Sequence, residues 1–128
     1  MIVTKLKPYS KIKSQLKKSD EIGIISCNAC ARMCNTGGEK IMKELAKKLK
    51  RDGFNIVDMD LIGTPCNFSL LNKSQLHGNV QIALACDAGV YNLKKLFPKH
   101  RIIAALETLG VGVYDSKGKV TLVKKFKK

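Results

Sequence analysis

Four short strand-like runs recur along the 128-residue chain, at 21–26, 54–61, 80–85 and 101–106. Each is separated from the next by a stretch long enough for a returning helix. Strands spaced in this way pair in parallel through crossovers, and such crossovers are right-handed. The pattern therefore confines the chain to an α/β fold. The first run (Glu-Ile-Gly-Ile-Ile-Ser) is nearly continuous in apolar residues, as a buried parallel strand is, and 101–106 reads the same way. The second mixes apolar residues with Asn55, Asp58 and Asp60, which suits an edge. The simplest order sets the first strand beside the third and sends the second outward. The chain then reverses direction between the first and third strands, which opens a crevice at their carboxyl ends. The expectation is a three-layer, Rossmann- or flavodoxin-like domain with a small, mostly parallel sheet of about four to five strands.

The clearest helix is Gly38–Arg51. Ile41, Met42, Leu45, Ala46 and Leu49 make its apolar stripe, five lysines occupy other positions, and Gly53 is placed to stop it. Ile12 and Leu16 stand at helical spacing in 8–18, with Pro8 suited to the first turn. A short helix is expected after Cys86, ended by Pro98. Residues 67–76 read as a loop with one or two helical turns. Residues 111–114 and 120–123 read as a hairpin around Asp115-Ser116-Lys117-Gly118. No repeat or domain boundary interrupts the chain, so one domain is expected over 1–128. Its core covers about residues 8–113, with a lysine-rich hairpin or tail at 114–128.

The formal charge of +14 comes from 21 lysines and three arginines against ten acidic residues. Such a field attracts acidic surfaces. Scarce arginine and the lack of an aromatic-plus-basic segment or a nucleic-acid motif count against nucleic acid as the main partner. No apolar run is long enough to span a bilayer. Residues 1–18 lack the apolar segment of a secretory signal, so a cytoplasmic location is expected.

Five cysteines fall at the expected strand ends: Cys27, Cys30 and Cys34 after the first strand, Cys66 after the second and Cys86 after the third. An odd count without an export signal disfavours a disulfide framework and favours ligands or redox groups. Structural zinc sites usually pair two C-x2-C knuckles, and only one occurs here. Ferredoxin-type runs place short cysteine spacings in one loop and draw a remote ligand from elsewhere, which matches this arrangement better. The site read from the sequence is therefore an iron–sulfur cluster, of the four-iron type, held by four of the five cysteines. Cys66 and Cys86 compete for the place beside the triplet. Thr36, Gly37 and Gly38 are expected beside the cluster, offering backbone N–H groups at a helix start. His77 and His100 read as surface residues away from the cysteine edge. The rival readings are a structural zinc-binding interaction domain and a metal-free thiol redox protein. No Ser-His-Asp order, P-loop or dinucleotide fingerprint is present, so catalysis by the chain alone is not indicated.

The run Cys27-x2-Cys30-x3-Cys34-x-Thr36-Gly37-Gly38-Glu39 resembles the cysteine-rich C-terminal domain of methylenetetrahydrofolate reductases, and the separate small partner subunit of such enzymes in anaerobic one-carbon metabolism. The resemblance continues through Cys66, through Leu84-Ala85-Cys86-Asp87-Ala88-Gly89-Val90, through Leu96-Phe97-Pro98 and through Ala105-Leu106-Glu107-Thr108-Leu109-Gly110. It spans about residues 8–113. It implies an iron–sulfur subunit that passes electrons to a flavin-containing reductase or another redox protein with an acidic docking surface. Larger members carry a second cysteine-rich segment that this chain lacks, which implies a single-site version. Asp87 stands where the family usually has glycine.

Overall fold

The computed structural model describes residues 1–67, 69 and 76–127. Strand β1 (Ile2–Leu6) and helix α1 (Tyr9–Lys13) open the chain. They are followed by β2 (Glu21–Cys27), α2 (Cys30–Met33), α3 (Gly38–Arg51) and β3 (Asn55–Ile62). Then come β4 (Val80–Leu84), α4 (Asp87–Leu96), β5 (Arg101–Ala104), β6 (Leu106–Tyr114) and β7 (Val120–Lys125). Residues 67–76, read above as loop and helical turns, fall largely outside the described residues.

Two sheets result. Strands β3-β2-β4-β5 form a parallel sheet in that order, so the strand bearing Cys27 lies beside the strand preceding Cys86, and β3 takes the edge. This is the order expected from the sequence, and the fold is α/β. Ile22, Ile24, Ile82 and Leu84 face one side of the sheet and pack with Ile12 of α1 and with Met42, Leu45 and Leu49 of α3. Ile25, Ile62 and Ala83 face the other side and meet Val90 and Leu93 of α4. Helices thus cover both faces, as the near-continuous apolar character of β2 requires.

The α3 stripe buries Met42, Leu45, Ala46 and Leu49 and leaves its lysines in water. Its end is a Schellman closure. Gly53 takes φ +88°, its N–H bonds Lys50 O, and the Phe54 N–H reaches back to Leu49 O. A side chain at Gly53 would be held in the left-handed region, which explains the glycine. Tyr9 donates to Asp52 at 2.6 Å and so ties α1 to this helix end. Burial, with the Asp52 carboxylate beside it, pushes the Tyr9 phenol up to about 12.

The second sheet is antiparallel, in the order β1-β6-β7. The expected hairpin at 111–123 is present within longer strands. Strand β1 was not expected, because Ile2–Leu6 alternates with Thr4 and Lys5 over too few residues to stand out. Residue Ala105, between β5 and β6, is where the chain leaves one sheet for the other. Its N–H bonds Ala83 O at 3.0 Å, while its carbonyl accepts from Lys7 N–H at 2.9 Å.

Candidate metal centre

Parallel strands deliver their carboxyl ends to one edge, and there the chain carries its cysteines. Cys27 is the last residue of β2 and is 8% exposed. Cys30 begins α2, Cys66 follows β3 by four residues, and Cys86 caps α4 directly after β4. Three hydrogen bonds bring the neighbouring loops together. Asn28 N–H reaches Ile62 O at 2.8 Å, joining the loop after β2 to the end of β3. Asn92 of α4 donates to the carbonyls of Pro65 and Cys66, at 3.2 and 3.0 Å.

The clearest sign of convergence is electrostatic. Partial burial raises the Cys66 thiol above its ordinary range, and the neighbouring Cys86, Cys27 and Cys30 thiols raise it further. Cys66 thus lies within electrostatic reach of sulfurs from the two neighbouring loops. Negative charge on any of them opposes ionisation of Cys66, an effect that a bound cation would reverse. The four do not gather around a single point. Among the described residues, no three His, Cys, Asp or Glu side chains are close enough to share one metal ion.

Cys34 is placed differently. It caps the C-terminus of α2, and its thiol donates to Ile2 O at 3.7 Å, toward β1. It is not among the thiols acting on Cys66.

Thr36, Gly37 and Gly38 lie beside this edge, but their amides are engaged within the protein. The short helix α2 ends with Asn35 at φ 58° and bonds from Asn35 N–H to Arg32 O and from Thr36 N–H to Ala31 O, a second Schellman closure. Gly37 N–H also reaches Ala31 O, and Gly38 N–H donates to the buried Ser26 hydroxyl at 2.8 Å. A Cβ on Gly37 would approach the Ala31 Cβ to 2.8 Å and Ser26 Oγ to 2.9 Å. Close packing beneath α3 accounts for that glycine, where the sequence suggested donors turned toward a cluster. The sulfur-directed amide found here is a different one: Ala29 N–H points at Cys27 Sγ, 3.3 Å away.

Two threonines of the antiparallel sheet hold the site from below. Thr4 and Thr108 are register partners across β1 and β6, and both are buried. The Thr4 and Thr36 hydroxyls share a hydrogen bond at 2.7 Å, and Thr108 Oγ1 accepts from Asp87 N–H at 3.0 Å. One cross-strand pair thereby grips the segment after Cys34 and the segment after Cys86. The single sequence signal for it is two threonines placed on short apolar strands.

The histidines stand at the opposite end of the parallel sheet. His77 pairs with Asp58 at 3.0 Å, and His100 Nδ1 lies 3.2 Å from the buried Gln81 amide. A shallow cleft of about 480 Å³ opens beside the cysteine loop, between Arg32, Lys40, Lys43 and Leu61. Glu39 also lines it and pairs with Lys43 at 2.6 Å, so the rim is basic through Arg32 and Lys40.

The site thus belongs to an α/β protein whose cysteines lie at the carboxyl edge of the parallel sheet, near its topological switch point. Comparison with protein-family models, with curated proteins and with solved structures finds no significant match to the chain. No helix among the described residues is long and apolar enough to cross a membrane.

Proposed function

We propose that the chain binds an iron–sulfur cluster through Cys27, Cys30, Cys66 and Cys86 and serves as an electron-transfer or accessory subunit of a methylenetetrahydrofolate reductase-like enzyme. The observation that supports the reading is the placement of these four cysteines on three loops at the carboxyl edge of one parallel sheet, loops tied together through Asn28 and Asn92. A single zinc ion, with thiolates at about 2.3 Å in a tetrahedron, needs its sulfurs about 4 Å apart around one point. A four-iron cluster gives each thiolate its own iron and so suits donors that share a region rather than a point. When bound, such a cluster supplies a one-electron carrier.

The chain's own residues orient the thiols. Ala29 N–H stabilises negative charge on Cys27, and Thr108 fixes the backbone just beyond Cys86. Asp87 is exposed and one residue from Cys86, so its carboxylate adds negative charge to the neighbourhood and disfavours reduction. Cys34, turned toward β1, is the thiol left out of the ligand set. The positive charges of Arg32 and Lys40 on this rim suit docking of an acidic redox partner, with an association that weakens as salt rises.

Anaerobic purification followed by iron, sulfide and zinc analysis and an electron paramagnetic resonance spectrum tests the reading. Cys30→Ser and Cys86→Ser are expected to lose most of the iron, while Cys34→Ser keeps it. Stoichiometric zinc without sulfide would assign the site to the zinc domain instead. A metal-free protein that forms a disulfide would make it a thiol redox protein.

A further inference from the structure

Among the described residues, exposed apolar side chains gather on the β6–β7 hairpin, away from the cysteines. Val123 is 66% exposed, Val113 55%, Tyr114 49% and Leu122 41%. The strand register distributes them over both faces. Val111 pairs with Lys124 and Val113 with Thr121 on one face, while Leu122 pairs with Gly112 and Tyr114 with Val120 on the other. A register shift beside Gly112 leaves Val123 unpaired.

Lysines surround these side chains: Lys117, Lys119, Lys124, Lys125 and Lys127. The one acid in the turn, Asp115, is occupied in accepting from the Lys117 and Lys119 amides at 2.9 Å each. A second copy of a chain carrying +14 would meet strong repulsion at such a hairpin. A rigid protein surface covers one face of a ribbon. A lipid interface is fluid, accepts apolar side chains on both faces, and places anionic headgroups against the lysines.

We propose that the β6–β7 hairpin is a peripheral contact for an anionic bilayer surface, with Val113, Leu122 and Val123 entering the interface and Lys124, Lys125 and Lys127 meeting the headgroups. The contact is independent of whether the cysteines hold a metal.

The test is sedimentation of the full chain with vesicles of 30% phosphatidylglycerol in phosphatidylcholine, compared with pure phosphatidylcholine, at 0.1 M salt. Wild type is expected to partition onto the anionic vesicles about tenfold more strongly than onto neutral ones. The paired change Val113→Ser with Val123→Ser alters no charge and lies on exposed positions, and it should lower partitioning about fivefold or more. Lys124→Glu with Lys125→Glu should lower it about tenfold or more, whereas Lys47→Glu with Lys48→Glu on α3 should lower it less than about threefold. Circular dichroism checks that each variant is folded. Equal losses from the two lysine pairs would reduce the effect to overall charge and overturn the proposal, as would unchanged binding of the serine variant or no anionic binding at all. Equally strong binding to poly-glutamate, lost in the same variants, would assign the hairpin to an acidic protein. Self-association of wild type abolished by the serine pair would assign it to a second copy.

Discussion

Thr108→Val isolates one hydrogen bond on which the cysteine edge depends. Valine keeps the shape of threonine and removes only the hydroxyl that accepts from Asp87 N–H at 3.0 Å. Thr108 is 4% exposed, so water can reach the freed amide only from the Asp87 side. A buried donor left without a partner costs about 1–3 kcal/mol. Asp87 itself is exposed, and partial hydration of its amide brings the expected loss to the lower half, about 1–1.5 kcal/mol. In a chain of 128 residues, that corresponds to a fall in melting temperature of roughly 3–8 °C. The assay is thermal and urea unfolding of wild type, Thr108→Val and Thr108→Ser, with alkylation of Cys86 followed by mass spectrometry. Serine keeps the acceptor and should keep the wild-type Cys86 alkylation rate, while valine should raise it by freeing the backbone at residue 87. A valine variant that melts within about 1 °C of wild type with an unaltered Cys86 rate would refute the idea that this bond positions the loop.

Two further outcomes follow from charge. Because a Cys86 thiolate helps to hold Cys66 above its ordinary range, Cys86→Ser should speed iodoacetamide modification of Cys66 at about pH 9, where thiolates are populated; an unchanged rate would remove Cys86 from the causes. Burial opposes ionisation of Asp20, but the Lys17 amide and the Arg101 guanidinium, 2.7 Å away, outweigh it and leave its folded pKa below the unfolded value. The resulting stability is present above the unfolded carboxylate value of about 4 and is lost as pH falls through the lower folded value. Arg101→Ala should therefore cost about 1–3 kcal/mol near neutral pH, with the difference from wild type shrinking on acid titration. A difference that stays constant down to about pH 2 would contradict the pairing.

Most of the parallel layer was legible because its information is local. The stripe of Ile41, Met42, Leu45, Ala46 and Leu49 defines α3 with the bounds Gly38–Arg51, and Gly53 marks its end by chirality alone. The strand order followed from alternating strands and helices, and the acids of β3 marked the edge. The second sheet was only half legible. Its hairpin has a turn signal, but β1 is defined by pairing with residues more than a hundred positions away, such as Ile2 with Val111. The same limit applies at the cysteine edge. Spacing brings Cys27, Cys30, Cys66 and Cys86 to one rim, yet nothing in Cys27-x2-Cys30-x3-Cys34 says that the last thiol turns toward Ile2. The glycines at 37 and 38 were assigned to a ligand from their type, whereas their contacts are with Ala31, Ser26 and Arg32. Packing reasons of that kind depend on the far side of the fold and leave no mark in a local window.

Ala105 has no exposed surface, and its N–H is hydrogen-bonded to the parallel strand β4 while its carbonyl accepts from the segment after β1. A residue shared in this way leaves no seam along which the two layers can open separately. Loosening either one withdraws a partner from the other, so the thiol-bearing rim and the lysine-rich ribbon are expected to melt as one cooperative unit despite their separate chemistry.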